Sequence, residues 1–311
     1  MSGRELVVLG TASLTPTRGR AQNAWALQWD DQLLLFDPGE GTQRQSMLAG
    51  VHIARLTGVF ITHFHGDHCL GLPGVIQRHS LDNSLNPGGG AVATPLPIWF
   101  PAEGGVYLER LRTSTDFTDH SDMVAVPVSD DGPAGAAGAL QVTARRLEHR
   151  VPTVGYRLQE PDAWHVDPDL AAAAGVVGPL VGEVLREGRV EVDGRVVRRD
   201  EIASLRPGHS FAFVMDTRLC DGAVELARDV DMLVIESTYL HRDRELAEAY
   251  DHLTARQAAE LATEVGARRL VLGHFSSRYP DASVFGDEAR RYHDDVVVGS
   301  DLARIQMPPR R

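Results

Sequence analysis

Thr62-His63-Phe64-His65-Gly66-Asp67-His68 is the stretch that decides how this chain is read. It packs three imidazoles and one carboxylate into six consecutive residues, behind the apolar run 59–61 and ahead of a helical stretch holding Leu70, Leu72 and Val75. Leaving one such polar group buried and unpaired costs roughly 1–3 kcal/mol, so four together call for a common partner. At a strand end, residues two apart lean the same way. His63 and His65 therefore converge on one cation, while the turn after them directs Asp67 and His68 to a second. Mixed imidazole and carboxylate donors favour zinc, with manganese and iron as alternatives.

A binuclear centre takes more donors than these four, and three candidates stand at the ends of other apolar runs. His149 follows the run 141–147, Asp216 closes 211–215, and His274 follows 270–273. His52, His79, His120, His165, His209, His241 and His293 lack that placement and read as surface or structural.

The runs at 6–9, 33–36, 59–61, 98–100, 211–214, 232–235 and 270–272 are short, continuous and bounded by Gly, Asp or His, as buried strands are. Thr254-Ala255-Arg256-Gln257 reads as a capping box opening a helix that runs to about Val265. The order is neither strict strand–helix alternation nor pure hairpins, so the expected class is α/β with more than one sheet. Segments 86–97 and 129–139, rich in Gly, Pro and Ala, are expected as loops. Residues 160–208 read either as an excursion from the core or as two helices and a hairpin of the main fold.

The chain has 311 residues, of which 43% are hydrophobic and 24% charged, the balance of a soluble globular enzyme. No apolar run approaches a membrane span, and residues 1–10 lack the basic and long apolar regions of a secretory signal. A cytoplasmic protein without membrane attachment is expected. Cys69 and Cys220 read as small buried hydrophobes in a reducing compartment. A net charge of −12 argues against a general nucleic-acid coat protein but leaves room for a local phosphate-binding patch. All 31 basic residues are Arg; among them Arg18, Arg20, Arg44 and Arg278 are placed to meet phosphates.

Taken in order, the motifs resemble the metallo-β-lactamase superfamily and, within it, the ribonuclease Z family. They are Phe36-Asp37-Pro38-Gly39-Glu40-Gly41-Thr42-Gln43-Arg44-Gln45, the stretch from His63 to Gly74, His149, Met215-Asp216-Thr217-Arg218, Glu236-Ser237-Thr238, His252-Leu253-Thr254 and Gly273-His274-Phe275-Ser276-Ser277-Arg278-Tyr279. The chain departs from the family at Met215, where Gly is usual, and at Glu236-Ser237-Thr238, which replaces a His-Glu-Ala-Thr type of sequence.

The resemblance implies one αββα four-layer sandwich over residues 1–311, with an inserted flexible arm at about 160–208 that grips tRNA. Gly178-Pro179-Leu180 is similar to that arm's Gly-Pro segment, although its arginines are interleaved with acids. It implies two zinc ions per subunit: His63, His65 and His149 on one, Asp67, His68 and His274 on the other, Asp216 bridging, and Asp37 fixing a ligand imidazole from behind. It implies a precursor-tRNA substrate, frequent homodimers, and hydrolysis after the unpaired 3′ base to leave a 3′-OH and a 5′-phosphate. Asp67 would orient the nucleophile, and His252, oriented by Glu236, would protonate the leaving oxygen. Taken alone, His252 reads as an exposed helix-start histidine. The other readings are a superfamily hydrolase of small phosphodiesters, sulfate esters or lactones, and a metal-binding or RNA-docking protein without catalysis.

Overall fold

A strand buried on both faces needs an apolar residue at every position, because successive side chains point to opposite faces. That is why the strand runs of this chain are continuous. The computed structural model describes residues 3–84 and 95–310. Along Arg4–Gly10, Leu6 and Val8 enter one apolar cluster while Val7 and Leu9 enter another. Along Ser210–Val214, Phe211 and Phe213 join the first of these clusters, and Ala212 and Val214 turn to a third.

The chain divides into two compact units, Met1–Leu158 with Ser210–Pro308, and Gln159–His209 with Pro309–Arg311. The larger unit holds two seven-stranded sheets. The first runs in the order Arg304–Gln306, Arg4–Gly10, Ala24–Trp29, Gln32–Phe36, Gly58–Phe60, Leu96–Pro101, Met123–Val128. The second runs Val296–Val298, Arg269–Gly273, Met232–Glu236, Ser210–Val214, Thr153–Gln159, Leu140–Leu147, Gly132–Ala137. Both are mixed, with antiparallel pairing at one side and parallel pairing at the other.

The cluster between the sheets includes Trp25, Phe36, Phe60, Trp99, Tyr156, Phe211 and Phe213. Phe60 stacks between Phe36 and Trp99 with ring centroids 4.8 and 4.4 Å away, adding directional contact to the burial of each ring. Leu72, Val75 and Ile76 of the helix Leu72–Ser84 cover the outer face of the first sheet. Ala258, Leu261 and Ala262 of Ala255–Glu264, with Phe285 of Ser283–Ala289, cover the second. The layers are helix, sheet, sheet, helix. The expected capping box is present: Gln257 N–H donates to Thr254 Oγ1 at 3.2 Å and Thr254 N–H to Gln257 Oε1 at 2.9 Å.

Two loop expectations need correction. Gly132–Ala137, inside 129–139, is an edge strand paired antiparallel to Leu140–Leu147, with a register shift between Pro133 and Ala136. Proline is tolerated there because an edge strand has no neighbour awaiting its missing N–H. Of the loop expected over 86–97, residues 86–94 lie outside the described residues, and Leu96 and Pro97 already belong to the strand Leu96–Pro101.

The smaller unit has its own apolar cluster of Ala171, Val176, Val184, Val190, Val197, Ile202 and Ala203. Its helices Pro168–Ala173 and Pro179–Glu187 both open on proline, the first capped by Asp167, the second stopped by Gly188 at φ 78°. Arg189–Val192 and Arg195–Arg198 form a hairpin whose Asp193-Gly194 turn has φ values of 50° and 76°, the left-handed pair that such two-residue turns need. Ala163–Val166 pairs with Ala203–Arg206.

Candidate metal centre

Six of the chemistry-bearing side chains stand at or just beyond the end of a strand. Asp37 follows Gln32–Phe36, His63 follows Gly58–Phe60 after two residues, and His149 follows Leu140–Leu147. Asp216 follows Ser210–Val214, Glu236 closes Met232–Glu236, and His274 follows Arg269–Gly273. His65, Asp67 and His68 come from the turn and short helix Gly66–Cys69. The helix expected through Leu70 breaks there, because Gly71 donates its N–H to Pro38 O at 2.8 Å. A Cβ on Gly71 would lie 2.0 Å from Gly39 O, and one on Gly39 would lie 2.3 Å from Asp67 O. These two glycines let the Asp37 turn and the histidine helix touch backbone to backbone.

The structure brings the candidates together in two groups. His63 Nε2 lies 3.0 Å from His65 Nδ1, and His149 Nε2 lies 3.4 Å from the same Nδ1. Asp216 Oδ2 faces this group, 3.6 Å from His63 Nε2 and 3.8 Å from His149 Nε2. In the second group His68 Nε2 and His274 Nε2 are 3.1 Å apart, with Asp67 Oδ2 at 3.5 and 3.3 Å. Asp216 Oδ1 faces that group at 3.3 and 3.2 Å from the same two nitrogens. One carboxylate thus presents one oxygen to each group.

The protons on the rings follow from their outer partners. Carboxylates and carbonyls only accept, so His68 Nδ1 donates to Asp37 Oδ2 at 2.8 Å and His149 Nδ1 donates to Asp251 O at 3.1 Å. Thr62 Oγ1 donates to Asp37 Oδ2 at 2.7 Å, so it accepts from His63 Nδ1 at 3.1 Å. Thr238 Oγ1 donates to Glu236 Oε2 at 2.6 Å, so it accepts from His274 Nδ1 at 2.9 Å. With Nδ1 carrying the proton, all four rings turn a bare Nε2 lone pair inward, toward each other and toward Asp216. Among the described residues, buried Asp216 Oδ1 finds no hydrogen-bond donor.

Lone pairs converging on lone pairs repel unless cations lie between them. For metal–ligand bonds of about 2.0–2.1 Å, tetrahedral donors stand about 3.3 Å apart, within the range of separations seen here. The residues present therefore fit metal ions, and three overlapping donor groups are available among the described residues: His63, His65, His149 and Asp216; Asp67, His68 and His274; and Asp216, His252 and His274.

Electrostatics point the same way. Burial opposes charge on His68, but Asp216, Asp67 and Asp37 override it and hold its pKa well above the ordinary value. Carboxylates crowded on one ring call for positive charge at the centre, which a bound cation would supply in place of the His68 proton. Burial, aided by His68, His65 and His149 and opposed by Asp216, holds the His63 pKa well below its ordinary value, keeping the ring neutral and able to coordinate. Burial would raise Asp67 and Asp216, but the surrounding imidazoles outweigh it and hold both carboxyls below the usual range. His252 lies beside the groups, its ring centroid 5.2 Å from that of His149 and 5.6 Å from that of His274. Its Nδ1 bonds Glu236 Oε1 at 2.8 Å. Burial opposes charge on His252, yet Glu236 overrides it and lifts the pKa to about 9.

The sequence gives no role to four residues that hold the site. Thr62 and Thr238 fix the tautomers just described; Thr238, two residues beyond Glu236 on the same strand end, was the more findable of the two. Asn23, its amide oriented by Trp25 Nε1–H at 2.8 Å, donates to Asp37 Oδ2 at 3.4 Å. Leu14 N–H donates to Asp67 Oδ2 at 2.6 Å. Neither Asn23 nor Leu14 carries a sequence signal. Arg20 donates to Ser276 O and Tyr279 O at 3.3 and 2.8 Å, so part of its guanidinium is taken up by the loop after His274.

Residues 17–205 match the family described as the metallo-β-lactamase superfamily, and residues 191–275 match a β-lactamase superfamily domain. A protein named ribonuclease Z from Salinispora arenicola (strain CNS-205) is 51% identical over 312 residues, covering 100% of this chain and 98% of the relative. Another of that name from Nocardia farcinica (strain IFM 10152) is 50% identical, with full coverage of both. The crystal structure of the short form of human tRNase Z aligns with a TM-score of 0.65 at 26% identity, over 98% of this chain and 100% of that one. The metallo-β-lactamase fold protein YhfI from Bacillus subtilis aligns with a TM-score of 0.69 at 16% identity, over 98% and 99%, and speaks to the fold alone.

Proposed function

Because the chain belongs to the ribonuclease Z family of the metallo-β-lactamase superfamily, we propose that it is the endoribonuclease that cuts the 3′ trailer from precursor tRNA, leaving a tRNA 3′-OH and a trailer 5′-phosphate. The observation that carries the chemistry is the inward convergence of four fixed-tautomer imidazoles on the two oxygens of Asp216.

His63, His65 and His149 would hold one zinc ion, Asp67, His68 and His274 a second, and Asp216 would reach both. Bound there, the pair supplies Lewis acidity toward the phosphoryl oxygens and water acidic enough to attack near neutral pH. Asp67, held by the Leu14 N–H, orients the attacking water and accepts its proton. His252, gripped at Nδ1 by buried Glu236, turns Nε2 to the leaving 3′ oxygen and protonates it. Thr217 and Thr238 N–H groups donate to Glu236 at 2.8 and 3.2 Å, so the carboxylate that steers His252 cannot swing.

Residues 160–208 act as the tRNA-gripping arm, supported by the separate apolar cluster of that unit. A homodimer is proposed on the family membership alone, and sedimentation would test it. Among the described residues no helix is long and apolar enough to cross a membrane. The unlinked Cys69 and Cys220 suit the cytoplasm.

The test incubates pure protein with end-labelled precursor tRNA and with bis(p-nitrophenyl) phosphate, with and without chelator. Chelator-sensitive cutting just after the discriminator base is expected. Turnover of the small diester alone would overturn the RNA assignment and leave a phosphodiesterase.

A further inference from the structure

Leu14 sits at the edge of the metal centre with a conformation and an exposure that leucine ordinarily avoids. Its φ is 64°, in the left-handed region that disfavours any residue with a Cβ. Its side chain is 72% exposed. Its N–H reaches Asp67 Oδ2 at 2.6 Å, so covalent geometry puts its Cα within about 4 Å of that oxygen.

The backbone around it is held. Ser13 N–H donates to Phe275 O at 3.0 Å, Phe275 N–H donates to Thr11 O at 2.8 Å, and the Gln22 amide donates to Leu14 O at 3.0 Å. A glycine would supply the same N–H to Asp67 without strain, so the hydrogen bond alone gives no reason for a leucine. What the leucine adds is an apolar surface facing solvent beside the place where a phosphodiester is cut. Residues held in sparsely populated backbone regions cluster at active sites and ligand clamps. The matching occupant is the flat face of an unpaired nucleobase, which enzymes acting on nucleic acid hold against aromatic or apolar side chains.

We propose that Leu14 is a specificity-determining residue: its side chain is the platform against which the nucleobase next to the scissile phosphate packs, while its N–H steadies Asp67. The assignment rests on the RNA reading above. Leu14→Gly and Leu14→Ala, assayed on precursor tRNA and on bis(p-nitrophenyl) phosphate, separate the two contributions. Glycine relieves the strain and alanine does not, yet both remove the platform. Both should lose about fivefold more kcat/KM on the RNA than on the small diester, mainly through KM. Leu14→Met should restore most of that loss.

Equal losses on the two substrates would overturn the platform and leave only the Asp67 hydrogen bond. So would a glycine variant as good as wild type on RNA. Wild-type protein that turns over the diester but not the precursor would strike the ribonuclease reading, and the role of Leu14 with it.

Discussion

Replacing Asp37 by asparagine tests whether the proton arrangement of the site follows from its outer partners. Asp37 is fully buried and accepts four hydrogen bonds: from Thr62 N, Thr62 Oγ1, His68 Nδ1 and Asn23 Nδ2. Asparagine keeps one acceptor atom. If that atom stays with Thr62 N–H, the new NH2 faces the Asn23 amide, donor against donor, because Trp25 fixes the Asn23 orientation. The same NH2 faces His68 Nδ1, which must now accept. The His68 proton then moves to Nε2 and covers the lone pair that points at His274, Asp67 and Asp216. Loss of an outer partner of this kind typically weakens metal affinity 10–100-fold, about 1.4–2.7 kcal/mol. Competition against a calibrated chelator would measure it, with circular dichroism to check that the fold survives. A folded Asp37→Asn protein within threefold of wild-type affinity would refute the tautomer argument on which the metal assignment rests.

His252→Ala should cut phosphodiester turnover about 10²–10⁴-fold while metal stoichiometry, read by atomic emission, stays at the wild-type value; unchanged turnover removes the donor role. Glu236→Gln should follow in the same direction with a smaller loss, since a neutral amide still bonds His252 without favouring its charged form. Asp301 accepts from Thr11 Oγ1 and Ala21 N at 2.9 and 2.6 Å, tying both ends of the loop that carries Leu14. Asp301→Ala should therefore destabilise by about 2 kcal/mol in urea titrations. Asp301→Asn should lose less than alanine but not nothing. Burial raises the Asp301 pKa, so the fold resists its charge. Yet the amide offers one acceptor oxygen where Thr11 Oγ1 donates to Oδ1 and Ala21 N–H and Gln45 Nε2 donate to Oδ2. A drop for Asn as large as for Ala would show that one acceptor oxygen is not enough to hold the loop.

Strand positions and the inner layer were legible because burial on both faces forces continuous apolar runs; 6–9, 211–214 and 270–272 could hardly be anything else. Gly132–Ala137 was not legible: an edge strand with one neighbour tolerates Gly, Pro and Ala, the composition of a loop. Four donor residues could be nominated from their clustering and divided two and two by strand-end geometry, and His149, Asp216 and His274 from their places after apolar runs. The allotment of those three came from the family resemblance. Sequence spacing cannot say that Asp216 turns one oxygen each way. The outer partners were least legible. Asn23, Thr62 and Leu14 act through a few local hydrogen bonds, and a single Asn, Thr or Leu carries no periodicity.

Backbone conformation ties these points together. Asp37, Asp216 and His274 have φ values of 45°, 37° and 60°, each just past a strand end. A side chain continuing the strand would point into one of the apolar layers. Entering the left-handed region turns the chain sharply enough to swing it out of the sheet and toward its counterparts at the neighbouring strand ends. Such a residue is disfavoured by about 1–2 kcal/mol without a Cβ-free side chain, and glycine, which would avoid that, brings no ligand. The strain at these three positions is therefore inherent in asking strand-end residues to coordinate. It is offset by the hydrogen bonds of Thr62, Thr238 and Asn23 and by whatever cation occupies the centre, so the centre and its surrounding loops should be the part of the fold most dependent on metal.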